Sequence, residues 1–139
     1  MPLDPDLIRA YERTDYVVFG EPELVIHVGE LNPDLDALME ADGTLTAAYL
    51  TAANPGGEQQ SEAENREAAE ALLAHPLLML LPKYEGEGCD PLGKWPAEPS
   101  VLVLGIERED AESIGISRAQ NAIVFIEKGM APELVLLAP

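Results

Sequence analysis

Cysteine is almost missing from this chain, basic residues are scarce, and no apolar run is long. Each shortage closes off a class of function. Cys89 is the only cysteine, so no intramolecular disulfide forms and no cysteine-based zinc centre can be assembled. The two histidines, His27 and His75, stand far apart with no metal-ligand spacing, and neither a metal nor a cofactor is expected. Cys89 paired with a histidine would be the minimal nucleophile arrangement. Its neighbours Glu85, Glu87 and Asp90 raise a thiol pKa rather than lower it, which argues against an activated thiolate. No apolar run exceeds that of Leu77 to Leu81, which has the length of a core strand and falls far short of the roughly 18 to 20 residues that cross a bilayer. The chain starts Met-Pro-Leu-Asp-Pro-Asp, with no basic segment leading into an apolar one. No signal peptide is expected, and the cytoplasm is the expected location.

Against 8 basic residues stand 26 acidic ones, a net charge of -18. Such a field repels nucleic-acid phosphates and anionic lipid, so neither nucleic acid nor membrane is an expected partner. It reads either as solubility in a salty cytoplasm or as a surface that neutralises a basic protein partner. The 139 residues, 47% of them hydrophobic, fit one globular domain, 1–139, with enough core to need neither metal nor disulfide.

Asp4-Pro5-Asp6 opens a helix that fades near Thr14, and Asn32-Pro33-Asp34 opens another that ends before Gly43. Residues 16–19 and 24–28 read as a hairpin about Glu21-Pro22, and Thr44 to Ala53 as a central strand. That strand stops at Asn54-Pro55-Gly56-Gly57. Ser61 and Glu64 form a capping box for a helix that His75-Pro76 ends. Leu77 to Leu81 and Val101 to Ile106 read as strands, separated by an irregular stretch from Glu85 to Pro99. A short helix over 108–114 and a closing hairpin, 122–126 with 134–137, complete the chain. The expectation is an α+β fold: a mixed or mostly antiparallel sheet of about seven strands with about four helices.

From Thr51 onward a set of short motifs accumulates: Thr51-Ala52-Ala53-Asn54-Pro55, then Ser61 and Asn65, then Glu98 and Ser100, then Gln120 and Ala122. In order and spacing these resemble a bacterial family known as a domain of unknown function, DUF3293. That family's pattern is T-A-x-N-P, a Ser and an Asn early in the next helix, W-x-E-x-S, and Q-x-A. The chain departs from it at Trp95, which lies one residue further from Glu98 than the pattern has it. The resemblance implies a grouping and brings no reaction with it.

Several of these residues are candidates for a site. Asn54 ends a strand before a glycine-bearing loop and a helix start, an arrangement that collects anions; Glu58, Glu62 and Glu64 already occupy its positive end. No nucleotide-binding glycine motif is present. Asn54 otherwise closes the turn through its own side chain. Asn65, one helical turn past Ser61, either bonds back to the Asn54 loop or contacts a ligand. Glu98, at the start of an apolar strand, is the candidate general acid or base if partly desolvated. Ser100 has no base at a recognisable spacing and no G-x-S-x-G around it, against a serine hydrolase. Gln120 and Asn121 either line a pocket rim or tie down a loop. Trp95 and Tyr84 flank the irregular stretch as a possible apolar wall, whereas Tyr11, Tyr16, Phe19 and Phe125 read as core. Thr51, Asn54, Asn65, Trp95, Glu98, Ser100 and Gln120 thus make either one ligand site or one hydrogen-bond network. Three functions stay open: a binding module for a small molecule or protein using this region, a small enzyme built on Glu98, and an acidic protein that neutralises a basic partner. A homodimer is compatible with all three.

Overall fold

The structure, a computed structural model, describes residues 3–137. It has four helices, α1 (Pro5–Arg13), α2 (Pro33–Asp42), α3 (Glu62–Leu73) and α4 (Arg108–Ser117). Its strands are β1 (Asp15–Val18), β2 (Leu24–Ile26), β3 (Thr46–Thr51), β4 (Lys83–Cys89), β5 (Glu98–Leu104), β6 (Ala122–Glu127) and β7 (Glu133–Leu136). All seven join one sheet in the order β2-β1-β4-β5-β3-β6-β7, and every neighbouring pair is antiparallel. The fold is α+β, as expected. Both terminal hairpins form, and they occupy the two ends of the sheet.

Period-two alternation in the central strands sorts their side chains into two cores. Ala48 and Leu50 of β3 and Val101 and Val103 of β5 pack with Leu72 of α3 and with Ala111 and Ile114 of α4. Ala47 and Tyr49 of β3 and Leu102 and Leu104 of β5 pack on the opposite face with Leu35 and Met39 of α2. The helices start where the capping chemistry places them. Asp4 accepts the Asp6 N–H, Asn32 accepts the Leu35 N–H, and the capping box of Ser61 and Glu64 is complete.

Two expectations fail together. Leu77–Leu81 is not a strand: it runs in successive turns, with Leu78 N–H donating to His75 O and Leu81 N–H to Leu78 O. Pro76 and Pro82 bracket it, Lys83 Nζ donates to the carbonyls of Leu78 and Leu81, and only Leu78 of its leucines is fully buried. The seventh strand is β4 instead, drawn from the segment whose glycines read as breakers. A Cβ on Gly86 would lie 1.9 Å from the Val17 carbonyl oxygen, so this glycine is what allows β1 to approach β4. The irregular stretch shrinks to residues 90–97, and β5 begins at Glu98 rather than Val101.

Candidate functional site

At one end of the sheet the side chains of β3, β5 and β6 face α1 across a hollow of about 250 Å³. Thr51, Asn54, Trp95, Glu98, Ser100 and Gln120 line it, together with Leu7 and Tyr11 of α1, Tyr16 of β1, Tyr49 of β3 and Asn121. Glycine helps to make the space. Gly88 faces Glu98 across the β4–β5 ladder and Tyr16 across the β1–β4 ladder, and it contributes no side chain to the hollow.

Asn54 organises the polar wall. Its backbone is left-handed, φ 45° and ψ 60°, a conformation that Asn tolerates better than most residues. Its Nδ2 donates to Glu98 Oε2 at 2.5 Å, and its Oδ1 accepts from Gln60 N–H at 2.8 Å and Asn65 Nδ2 at 2.9 Å. Its own N–H donates to Asn65 Oδ1 at 3.0 Å. Asn65 does not reach the hollow. It stands behind Asn54, beside a second and larger depression, of about 840 Å³, between α3 and the opposite face of the sheet. Its structural alternative is the one the geometry displays.

Both glycines of the loop have their N–H groups taken, as does the residue after them. Gly56 N–H donates to Ala119 O, Gly57 N–H to Asn54 O, and Glu58 N–H to Pro55 O. Ser61 N–H is taken by Glu64 Oε1. Gln120 closes the site from the far side, its Nε2 donating to Ala53 O and Arg118 O. It is held there by the end of α4, where Gln120 N–H donates to Gly115 O and Ala119 N–H to Ile116 O. This is the Schellman pattern, with Ala119 at φ 55° in the place usually held by glycine. Thr51 Oγ1 donates to Pro99 O and Ser100 Oγ to Glu98 O, so neither hydroxyl is set against a base.

Glu98 is the one charged group on this wall among the described residues. Burial pushes its carboxyl above the ordinary range, while the Asn54 hydrogen bond pulls the other way. Only Oε2 has a hydrogen-bond partner among the described residues. Oε1 is not sealed from solvent, and Glu98 is a lining residue of the hollow. Around it stand phenols. Tyr16 Oη donates to Tyr11 O and Tyr49 Oη to Val17 O, each at 2.6 Å, and the two rings meet edge to face at 5.3 Å. Tyr11 Oη accepts from Asn121 Nδ2 at 3.1 Å, which leaves its own proton free to donate. Burial raises the pKa of Tyr11, and the nearby Glu98 carboxylate adds to the rise.

The family model described as "Protein of unknown function (DUF3293)" matches residues 50–123, more than half of the 139-residue chain. The chain belongs to this family. No curated protein and no solved structure matches it. The DUF3293 segment supplies the polar side of the hollow, from Thr51 through Glu98 to Gln120. The aromatic side, Tyr11, Tyr16 and Tyr49, comes from residues that precede the matched segment.

Those tyrosines are what sequence reasoning missed. Tyr11 falls on the apolar stripe of α1 with Leu7 and Ile8, and Tyr16 and Tyr49 fall in strands; each pattern fits core. Nothing local shows that α1 crosses the open end of the sheet. Tyr84, expected beside Trp95, lies instead in a separate depression with Phe19 and Leu38, because β4 carries it away from residues 90–97. Burial, with Glu87 second, raises the Cys89 pKa, so the thiol is not activated.

Proposed function

We infer that this protein is a small-molecule binding module whose site is the hollow between α1 and the ends of β3, β5 and β6. The observation that carries the reading is Glu98: a partly buried carboxyl on the wall of an aromatic-lined cavity, with one oxygen fixed by Asn54 and the other without a partner among the described residues. A group placed only for structure would be expected to satisfy both oxygens, because a desolvated carboxylate is costly. The neighbouring amides Asn54 and Asn65 do satisfy theirs. Apolar walls with a few convergent polar groups are the usual make-up of a ligand pocket.

The test is a thermal-shift screen of the purified protein against a metabolite library. A ligand that binds only the folded state raises Tm by mass action. Hits at this site must also change the fluorescence of Trp95, the only tryptophan, and must vanish in Gly88→Val, which fills the hollow from the β4 side. Hits that survive Gly88→Val place binding elsewhere. A second reading, in which Glu98 works as a general acid or base, draws on the same upward pKa shift; turnover of a bound ligand, abolished in Glu98→Gln, separates it from binding alone.

A further inference from the structure

The wall selects for charge. Among the described residues no lysine, arginine or histidine lines the hollow, and Glu98 is its one charged group. An anion would meet no counter-charge there and would be opposed by the field of a chain of net charge -18. A cation meets the reverse. It finds a carboxylate oxygen with no protein partner among the described residues, in a hollow that Tyr11, Tyr16, Tyr49 and Trp95 also line. Aromatic faces attract cations through their quadrupole, most strongly where water is excluded. The hydroxyls of Tyr16 and Tyr49 are committed to backbone carbonyls, which fixes these two side chains as wall rather than as donors. The volume, about 250 Å³, lies just below the pockets of drug-sized ligands, which start at about 300 Å³.

We propose that this hollow is a site for a small primary amine, its ammonium paired with Glu98 Oε1 and its apolar part set against the tyrosine and tryptophan side chains. The proposal rests on the reading of the hollow as a ligand site, and it adds the chemical class. An ammonium on Oε1 keeps the carboxylate ionised. Protons therefore compete with the amine, and affinity falls as the solution is acidified through the titration of Glu98.

The experiment compares three probes of equal ring size, phenethylamine, 2-phenylethanol and 3-phenylpropionate, by Trp95 fluorescence and by thermal shift at neutral pH. Phenethylamine is expected to bind at least about tenfold more tightly than the alcohol, with the acid weakest, as a desolvated ion pair beside aromatics supplies. Glu98→Gln should bring the amine and the alcohol to equal affinity; the amide still accepts from Asn54, and a Tm at or above wild type verifies its fold. Binding of the alcohol or acid as tightly as the amine overturns the amine assignment and leaves the ligand site standing. If none of the three binds and the metabolite screen is also blank, the site reading and the amine assignment fall together. The probe comparison on the wild-type protein needs no variant, so a misfolded Glu98→Gln would not protect the proposal.

Discussion

Asn65→Ala tests whether the amide pair behind the hollow holds this end of the fold. Asn54 and Asn65 are 6% and 8% exposed, and they exchange two hydrogen bonds, at 3.0 and 2.9 Å. Removing the Asn65 amide leaves the Asn54 N–H buried with no acceptor, a cost of about 1–3 kcal/mol. Asn54 Oδ1 loses one donor but keeps Gln60 N–H, so that loss is an ordinary bond of about 1 kcal/mol. Alanine returns up to about 0.7 kcal/mol as the better helix former in α3. The sum is about 1.5–3 kcal/mol. For 139 residues the unfolding entropy makes each kcal/mol worth about 3–4 °C, so Tm should fall by roughly 5–10 °C. Calorimetry gives the size, and amide hydrogen exchange gives the place: protection of residue 54 should drop more than that of β3. A Tm within about 2 °C of wild type, with residue 54 still protected, would refute the argument. It would mean that water entering from the α3 side satisfies the N–H as well as Asn65 does.

Three other outcomes follow from the same geometry. Glu98→Gln should raise Tm at neutral pH. A carboxyl whose folded pKa is raised favours the fold while protonated, and that advantage is lost as pH rises through the raised value; the gap between variant and wild type should therefore close on acidification, and a neutral-pH Tm below wild type contradicts it. Gly86→Ala should cost about 3 kcal/mol or more, because the new Cβ would meet the Val17 carbonyl oxygen at 1.9 Å and Tyr49 Oη at 3.0 Å; Gly88→Ala, whose Cβ meets only Thr14 Cγ2 at 3.7 Å, is the matched control and should melt near wild type. Ala119→Gly should stabilise the protein by up to about 1 kcal/mol, since glycine at the left-handed position past α4 relieves backbone strain; chemical denaturation with an unchanged slope would measure it, and a lower midpoint would count against the strain.

Helix starts were legible in the sequence because capping is local chemistry. Asp4, Asn32 and Ser61 each cap through their own side chains, and each was readable from a few neighbouring residues. Strand identity was legible only where pattern and burial agree, as in β3, β5 and β6. It failed at Leu77–Leu81 and Lys83–Cys89 for separate reasons. The first has strand-like composition between two prolines that leave room only for turns. The second has two glycines that look like breakers until β1 is seen lying against Gly86. A glycine required by a neighbouring strand carries no signal in its own stretch of chain. The site divides in the same way. Its polar residues lie at the ends of elements, where a polar side chain is conspicuous, whereas its tyrosines hide in stripes that a core would equally produce.

Network and site stand as alternatives for these polar residues, and the proposed function makes them compatible. Hydrogen bonds in and behind the wall close a network: Asn65 with Asn54, Gln120 with Ala53, Thr51 with Pro99. Among the described residues one link joins that network to the Glu98 carboxylate, Asn54 Nδ2 to Glu98 Oε2. Fixing one carboxylate oxygen removes the side-chain freedom that a ligand would otherwise have to restrict on binding, and it leaves the second oxygen without a partner among the described residues. Asn54→Gly separates the two roles. Glycine keeps the left-handed backbone without strain while deleting the link. If the link only stabilises the fold, the loss is confined to Tm. If it orients Glu98 for a ligand, phenethylamine affinity falls as well, even at temperatures where the variant is fully folded.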